Sequence, residues 1–183
     1  MRSSSSTSSQ FGPVQTPVER AAGLDRGDAI GHWAQMRKNK LPTLPERAAV
    51  TRIVHTVAFY ETDAMGIVHH SNYLRFLEHA RVRFMAEHDR PYTEYVAEGL
   101  HVPVTRALVN YHRACRFAEE VQVSCWLAWA RAASLGFAYR LEVTGVLVAS
   151  AETDHAITNL QGHPTRIPEH MRVRLAGWLG LEA

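Results

Sequence analysis

Apolar residues recur along this 183-residue chain with two periods, and the change from one to the other outlines a fold. Between residues 72 and 89, Tyr73, Phe76, Leu77, Ala80 and Phe84 fall three and four apart, the spacing of one helix face. Ser71 or Asn72 supplies a natural N-cap, because a short polar side chain there accepts a hydrogen bond from a free amide of the first turn. Elsewhere the period is two. Strands are predicted over residues 53–60 and 102–112, then over 120–129 through Val121, Val123, Cys125, Leu127 and Trp129. Residues 135–143 alternate through Phe137, Tyr139 and Leu141, and Gly145 separates them from a last strand over 146–157. Pro168 opens a short C-terminal helix with Met171, Leu175 and Leu179. One strand, one long helix and four further strands predict an α+β domain whose antiparallel sheet of about five strands takes the helix as its core filler.

The pattern begins only near residue 51. The first 17 residues are rich in Ser and Thr and contain no acid, which predicts disorder. Residues 18–37 carry a weak helical pattern through Ile30, Trp33 and Met36, interrupted by Gly23, Gly27 and Gly31, and Pro42 and Pro45 mark a linker. Residues 1–50 therefore read as an N-terminal extension and 51–183 as the folded domain. An Arg-bearing, acid-poor tail also resembles an organellar transit peptide, but amphipathicity is poor in its first 17 residues.

Composition narrows the function. The formal charge of +2 divides into +3 over residues 1–50 and −1 over the rest, and without a basic stripe nucleic acid is not an expected partner. No stretch approaches the roughly 20 apolar residues of a membrane span. Cys115 and Cys125 provide neither a disulfide framework nor a metal spacing, so a reducing, cytoplasmic setting is the expectation.

Chemistry concentrates in residues 59–81. Asp63 follows Glu61 and Thr62 at the end of the first strand, Gly66 adds backbone freedom, and a helix start follows. The arrangement can hold a carboxylate beside the amide-rich tip of a helix, a site suited to attack on an activated acyl carbonyl. The competing reading of Asp63 is a turn or cap residue bonded to its own backbone. His69 and His70 are available as bases, but no third ligand stands at a metal-binding spacing. Glu78 is expected to pair with Arg75, Arg81 or another nearby arginine rather than to face a catalytic cleft. Ser150, Asp154 and His155 hold the residue types of a triad, yet neighbouring strand residues face opposite ways and Asp154 cannot orient His155.

The run Tyr60-Glu-Thr-Asp63-Ala-Met-Gly66-Ile-Val-His-His70-Ser-Asn-Tyr73, continued by Phe76-Leu-Glu78-His-Ala-Arg81, resembles a known family. With support from residues 104–111, residues 52–160 resemble the hotdog-fold thioesterases of the 4-hydroxybenzoyl-CoA thioesterase group, especially the YbgC-like acyl-CoA thioesterases. The resemblance implies a hotdog fold, its sheet wrapped around one long central helix. It implies that Asp63 is the catalytic carboxylate, that the His70 amide polarises the thioester carbonyl, and that the His70 side chain assists. Tyr60, Gly66, Ile67, Val68, His69, Asn72 and Tyr73 are then the substrate-binding positions. Met65 departs from the small residue frequent in relatives. The implied substrate is an acyl-CoA or acyl-carrier-protein thioester, with no metal or organic cofactor, and the implied assembly is a homodimer or homotetramer with the site at a subunit junction. Arg113, Arg116, Arg131 and Arg140 are candidates for the coenzyme phosphates, and the strands at 102–112 or 135–143 for an edge in need of cover. An acyl-thioester hydratase or dehydratase and a non-catalytic acyl-CoA-binding module are the alternatives. A thioester suits so sparse a site, because a thiol of pKa near 8.5 departs with little help from an acid.

Overall fold

The structure, a computed structural model, describes residues 42–180; the expectations for residues 1–41 lie outside the described residues. Strand β1 (Thr51–Thr56) leads through a 3-10 turn (Phe59–Glu61) to helix α1 (Asn72–His88) and a short helix α2 (Tyr92–Ala97). The strands β2 (Leu100–His101), β3 (Val104–Tyr111), β4 (Glu120–Ala130), β5 (Ser134–Val143), β6 (Val146–Ala156) and β7 (Thr158–Asn159) follow, then helix α3 (Glu169–Trp178). The main sheet runs β1-β4-β5-β6-β3 with every pair antiparallel, and β2 pairs with β7 in a ribbon of their own. A five-stranded antiparallel sheet packed on one long helix is the hotdog architecture implied by the resemblance.

Both periods bury what they were expected to bury. Tyr73, Phe76, Leu77, Ala80 and Phe84 line the inner face of α1, joined by Met85, and α1 packs on β4 and β1. Facing them are the alternate residues Val121, Val123, Cys125 and Leu127 of β4 and Leu135, Phe137, Tyr139 and Leu141 of β5. Phe84 is the hub of one end of this core, edge-on to both Phe137 (5.5 Å) and Trp178 of α3 (5.4 Å). On the opposite face, a register shift after Leu127 turns Trp129 over Gly136; a Cβ at Gly136 would fall 2.1 Å from the indole nitrogen.

Three expectations need correction. The first strand ends at Thr56 rather than at residue 60, because the Val57 N–H crosses to the Glu119 carbonyl and the chain then coils, Glu61 N–H donating to the Ala58 carbonyl. Residues 135–143 form the central strand β5; the edges are β1 and β3, and β3 begins only after Pro103. Ser71 stands at the N-cap position of α1 but makes no capping bond, since its hydroxyl pairs with His69 instead. The short α2 and the β2–β7 ribbon were not foreseen. Pro91 before α2 and Gly99 after it (φ +80°) were the available signals.

Candidate active site

The segment between β1 and α1 is a small hairpin hung from the helix tip. Thr62 and Val68 pair across it, the Asp63 N–H donates to the Ile67 carbonyl (2.9 Å), and the Gly66 N–H returns to the Asp63 carbonyl (2.9 Å). Gly66 closes the turn with φ +69°, a conformation that costs any residue with a Cβ about 1–2 kcal/mol. Two bonds fasten this hairpin to the helix: the Glu61 carbonyl accepts the His69 N–H (2.9 Å) and the Asn72 side-chain amide (2.8 Å).

Asp63 is half-buried at the apex of this hairpin. Its Oδ1 accepts the Met65 N–H at 2.8 Å, the local turn bond of the competing reading, while Oδ2 has no partner among the described residues. The carboxylate is therefore oriented by a single amide with one oxygen left over. Glu61 is a different kind of acid. It is 2% exposed, its Oε2 accepts the Ala58 N–H (2.8 Å) and lies 2.8 Å from His55 Nε2. Burial opposes its charge, but the bonds from His55 and Ala58 and the charges of His55 and Arg75 outweigh it and hold the carboxyl below the ordinary glutamate range. Of the two acids, Asp63 alone can meet a substrate.

The other expected positions divide between surface and support. Tyr60 and Met65 are exposed, together with Phe59 and Phe117, whose rings meet edge to face at 5.8 Å. Gly66 is exposed and Ile67 half-buried. Val68 and Tyr73 are buried in the core, Val68 donating its N–H to the Cys115 carbonyl, and burial beside Cys115 pushes the Tyr73 phenol well above its ordinary range. The Asn72 side chain is occupied by Glu61 and the His69 imidazole by Ser71 (2.8 Å). His70 is exposed at the helix tip, ring to ring with His69 at 4.1 Å, and its N–H has no backbone acceptor among the described residues. Its carbonyl accepts the Tyr111 hydroxyl (3.0 Å).

Sequence reading missed His55 and the buried role of Glu61; the Glu-x-Asp spacing showed two acids but not which one faced inward. Glu78 is exposed and forms no ion pair among the described residues, contrary to expectation. Its Oε atoms stay in water, where such a pair is worth little. Ser150, Asp154 and His155 do not converge: Asp154 faces Arg106 (3.6 Å), Ser150 bonds His112 (3.0 Å), and His155 is buried against Thr153 and the Val102 carbonyl. Among the arginines, Arg113 lies 3.6 Å from Glu119, Arg140 pairs with Glu142 (3.0 Å), Arg131 covers the Trp129 ring, and Arg116 is exposed. Cys115 and Cys125 are buried free thiols. Among the described residues no group of His, Cys, Asp and Glu is placed to hold a metal, and no helix is long and apolar enough to cross a membrane.

The model of the thioesterase-like superfamily matches residues 57–175, which span the hairpin, α1 and the whole sheet beyond it. A protein of Thermus thermophilus, TT1821, is 36% identical with a TM-score of 0.66, covering 70% of this chain and 96% of that one. The acyl-CoA thioester hydrolase YbgC of Escherichia coli O157:H7 is 28% identical over 85 residues, 46% of this chain and 63% of that protein. The DHNA-CoA thioesterase of Staphylococcus aureus is 22% identical with a TM-score of 0.66, covering 70% of this chain and 88% of that one, a likeness of fold. The chain belongs to the thioesterase-like superfamily. It is a thioester hydrolase on a hotdog scaffold.

Proposed function

We propose that the protein hydrolyses an acyl-CoA thioester to a carboxylic acid and free coenzyme A, with Asp63 as the catalytic carboxylate. The observation that carries this reading is the half-buried Asp63 carboxylate, with one oxygen unpartnered, on a hairpin bonded directly to the tip of α1. Asp63 takes a proton from water as the water oxygen attacks the carbonyl carbon, or attacks that carbon itself and is released by water afterwards. The carbonyl oxygen becomes an oxyanion and meets the His70 N–H at the positive end of the helix dipole. Its collapse breaks the C–S bond and expels the thiolate. His70, exposed beside it, is placed to assist the departing group.

Tyr60, Met65 and Phe117 offer apolar surface to the acyl or pantetheine chain, and Arg113 and Arg116 offer guanidinium groups to phosphates. A carrier-protein thioester would bring the same pantetheine arm. A second copy of the chain covers the β3 edge, which among the described residues pairs only with β6 and exposes Val104, Leu108 and Tyr111, giving a homodimer or a pair of them.

Free-thiol release from a panel of aliphatic and aromatic acyl-CoA esters tests the reading. Asp63→Asn should lower kcat by at least 100-fold while still binding substrate, a loss on the order of that from deleting one oxyanion donor. Hydration of enoyl-CoA without thiol release would promote the hydratase alternative. No activity on any ester, with Asp63→Asn indistinguishable in binding, would remove the reading.

A further inference from the structure

The reaction above uses one of the two acids in the hairpin and leaves the other unexplained. Glu61 is buried, and a carboxylate taken out of water is costly unless its oxygens are bonded. Here the side chain is gripped by the Ala58 N–H and by His55 of β1, each at 2.8 Å. His55 in turn lies against the Phe76 ring of α1, centroids 4.3 Å apart. The main chain of the same residue is gripped from the other side, its carbonyl accepting the His69 N–H and the Asn72 amide. One residue thus joins β1, the 3-10 turn and the first turn of α1. Asp63 stands two residues further on, and the His70 amide follows directly after His69.

We propose that Glu61 is the positioning residue of the site: its buried carboxylate, held by His55 and the Ala58 N–H, sets the geometry between the Asp63 carboxylate and the amides at the start of α1. The inference rests on the acyl-thioester reading above. Glu61 touches no substrate and acts through its own backbone. If the side chain loses its grip, the Glu61 carbonyl drifts, and the hairpin and helix tip lose their common anchor. Misplacement of reacting groups by about 1 Å costs on the order of 100-fold in rate. The Ala58 N–H and His55 Nε2 meet the same oxygen, Oε2, so Gln with its amide oxygen in that place keeps both bonds, whereas Ala keeps neither.

The test compares wild type, Glu61→Gln, Glu61→Ala and His55→Ala on one acyl-CoA ester that wild type hydrolyses, with backbone amide exchange followed over residues 58–72. Glu61→Ala should lower kcat about 10- to 100-fold with KM within about 3-fold, Gln should restore most of it, and exchange at His69 should quicken only in the Ala variant. An unchanged kcat in Glu61→Ala, or a loss confined to KM, overturns the proposal. Should that variant fail to fold, His55→Ala removes one grip alone and must lower kcat in the same way; if it does not, the proposal falls. Should wild type release thiol from no ester, the hydrolase reading fails by itself. The exchange comparison then decides, and unaltered exchange at His69 in Glu61→Ala overturns the positioning role.

Discussion

The Tyr111 hydroxyl donates to the His70 carbonyl at 3.0 Å, tying the outer strand of the sheet to the turn that begins the central helix. The ring behind that hydroxyl sits edge-on to buried Tyr73 at 4.9 Å, so the strand and the helix share an aromatic contact as well as a hydrogen bond. The bond fixes the peptide between His70 and Ser71, one side of the turn from which the His70 N–H projects. Tyr111→Phe keeps the ring and removes the bond. Because the bond is exposed, water replaces it, and the melting temperature should move by less than about 2 °C. The rate is expected to respond more, with kcat falling roughly 3-fold at unchanged KM. Steady-state kinetics beside a thermal melt check this; equal rates would show that β3 does not tune the turn.

What the chain discloses before folding depends on whether the signal is local. The helix with Tyr73, Phe76, Ala80 and Phe84 was legible because period 3.6 is a property of neighbours, and the β4–β6 strands were legible for the same reason with period 2. Strand order was not. Nothing within residues 135–143 announces that they lie at the centre of the sheet, since that place is decided by pairing with two distant segments. Asp63 was found because an acid, a glycine and a helix start fall close together in the chain. The role of Glu61 was not legible, because its partner His55 stands six residues back on another element and meets it only in the fold. The catalytic role proposed for Asp63 comes from the resemblance, since spacing alone did not supply one.

Gly136 predicts a sharp steric outcome. Trp129 occupies the space where a Cβ would stand, its indole nitrogen 2.1 Å and its ring carbon 2.3 Å away. The indole is rigid and half-buried with Arg131 lying over it at 5.4 Å, so making room means displacing the whole ring. Gly136→Ala should destabilise the protein by about 1–3 kcal/mol, the range of overpacking in a filled site. Trp129→Ala in the same chain should relieve most of that penalty. Denaturant unfolding of the two single variants and the double variant measures the coupling; additive losses would mean the contact is not the cause.

The arginines predict a split between two substrates. Arg113 and Arg116 flank buried Cys115, whose carbonyl accepts the N–H of Val68 in the Asp63 hairpin. If they receive coenzyme phosphates, Gln at either position weakens an exposed ionic contact worth up to about 1 kcal/mol, roughly 5-fold in KM. The effect should fade at high salt. A pantetheine thioester of the same acyl group carries no nucleotide phosphates, and its KM should not change. A parallel rise for both substrates would place the phosphates elsewhere.

His155 predicts how stability depends on pH. Burial pushes its imidazole down to about 4 from an ordinary 6.5; the positive charge of Arg81 on α1 adds to this, and the bond to the Val102 carbonyl opposes it. Its other neighbours are Thr153, which its Nε2 meets at 2.8 Å, and the edge of Phe137. Between pH 6.5 and 4 the unfolded chain binds a proton at this residue that the folded chain refuses. Stability must therefore fall as pH drops through that window, by at most about 1.4 kcal/mol per unit, and be indifferent to this group above it. Glu61 works in another window. Its folded carboxyl lies below the ordinary 4.5, so its contribution is complete above that pH and is lost only as the pH falls further. His155→Gln separates the two, because the amide can serve Thr153 and the Val102 carbonyl without titrating. Thermal melts at pH 7 and pH 5 should show wild type losing about 5 °C and the variant much less. Equal losses would show that the imidazole is reached by protons in the folded state.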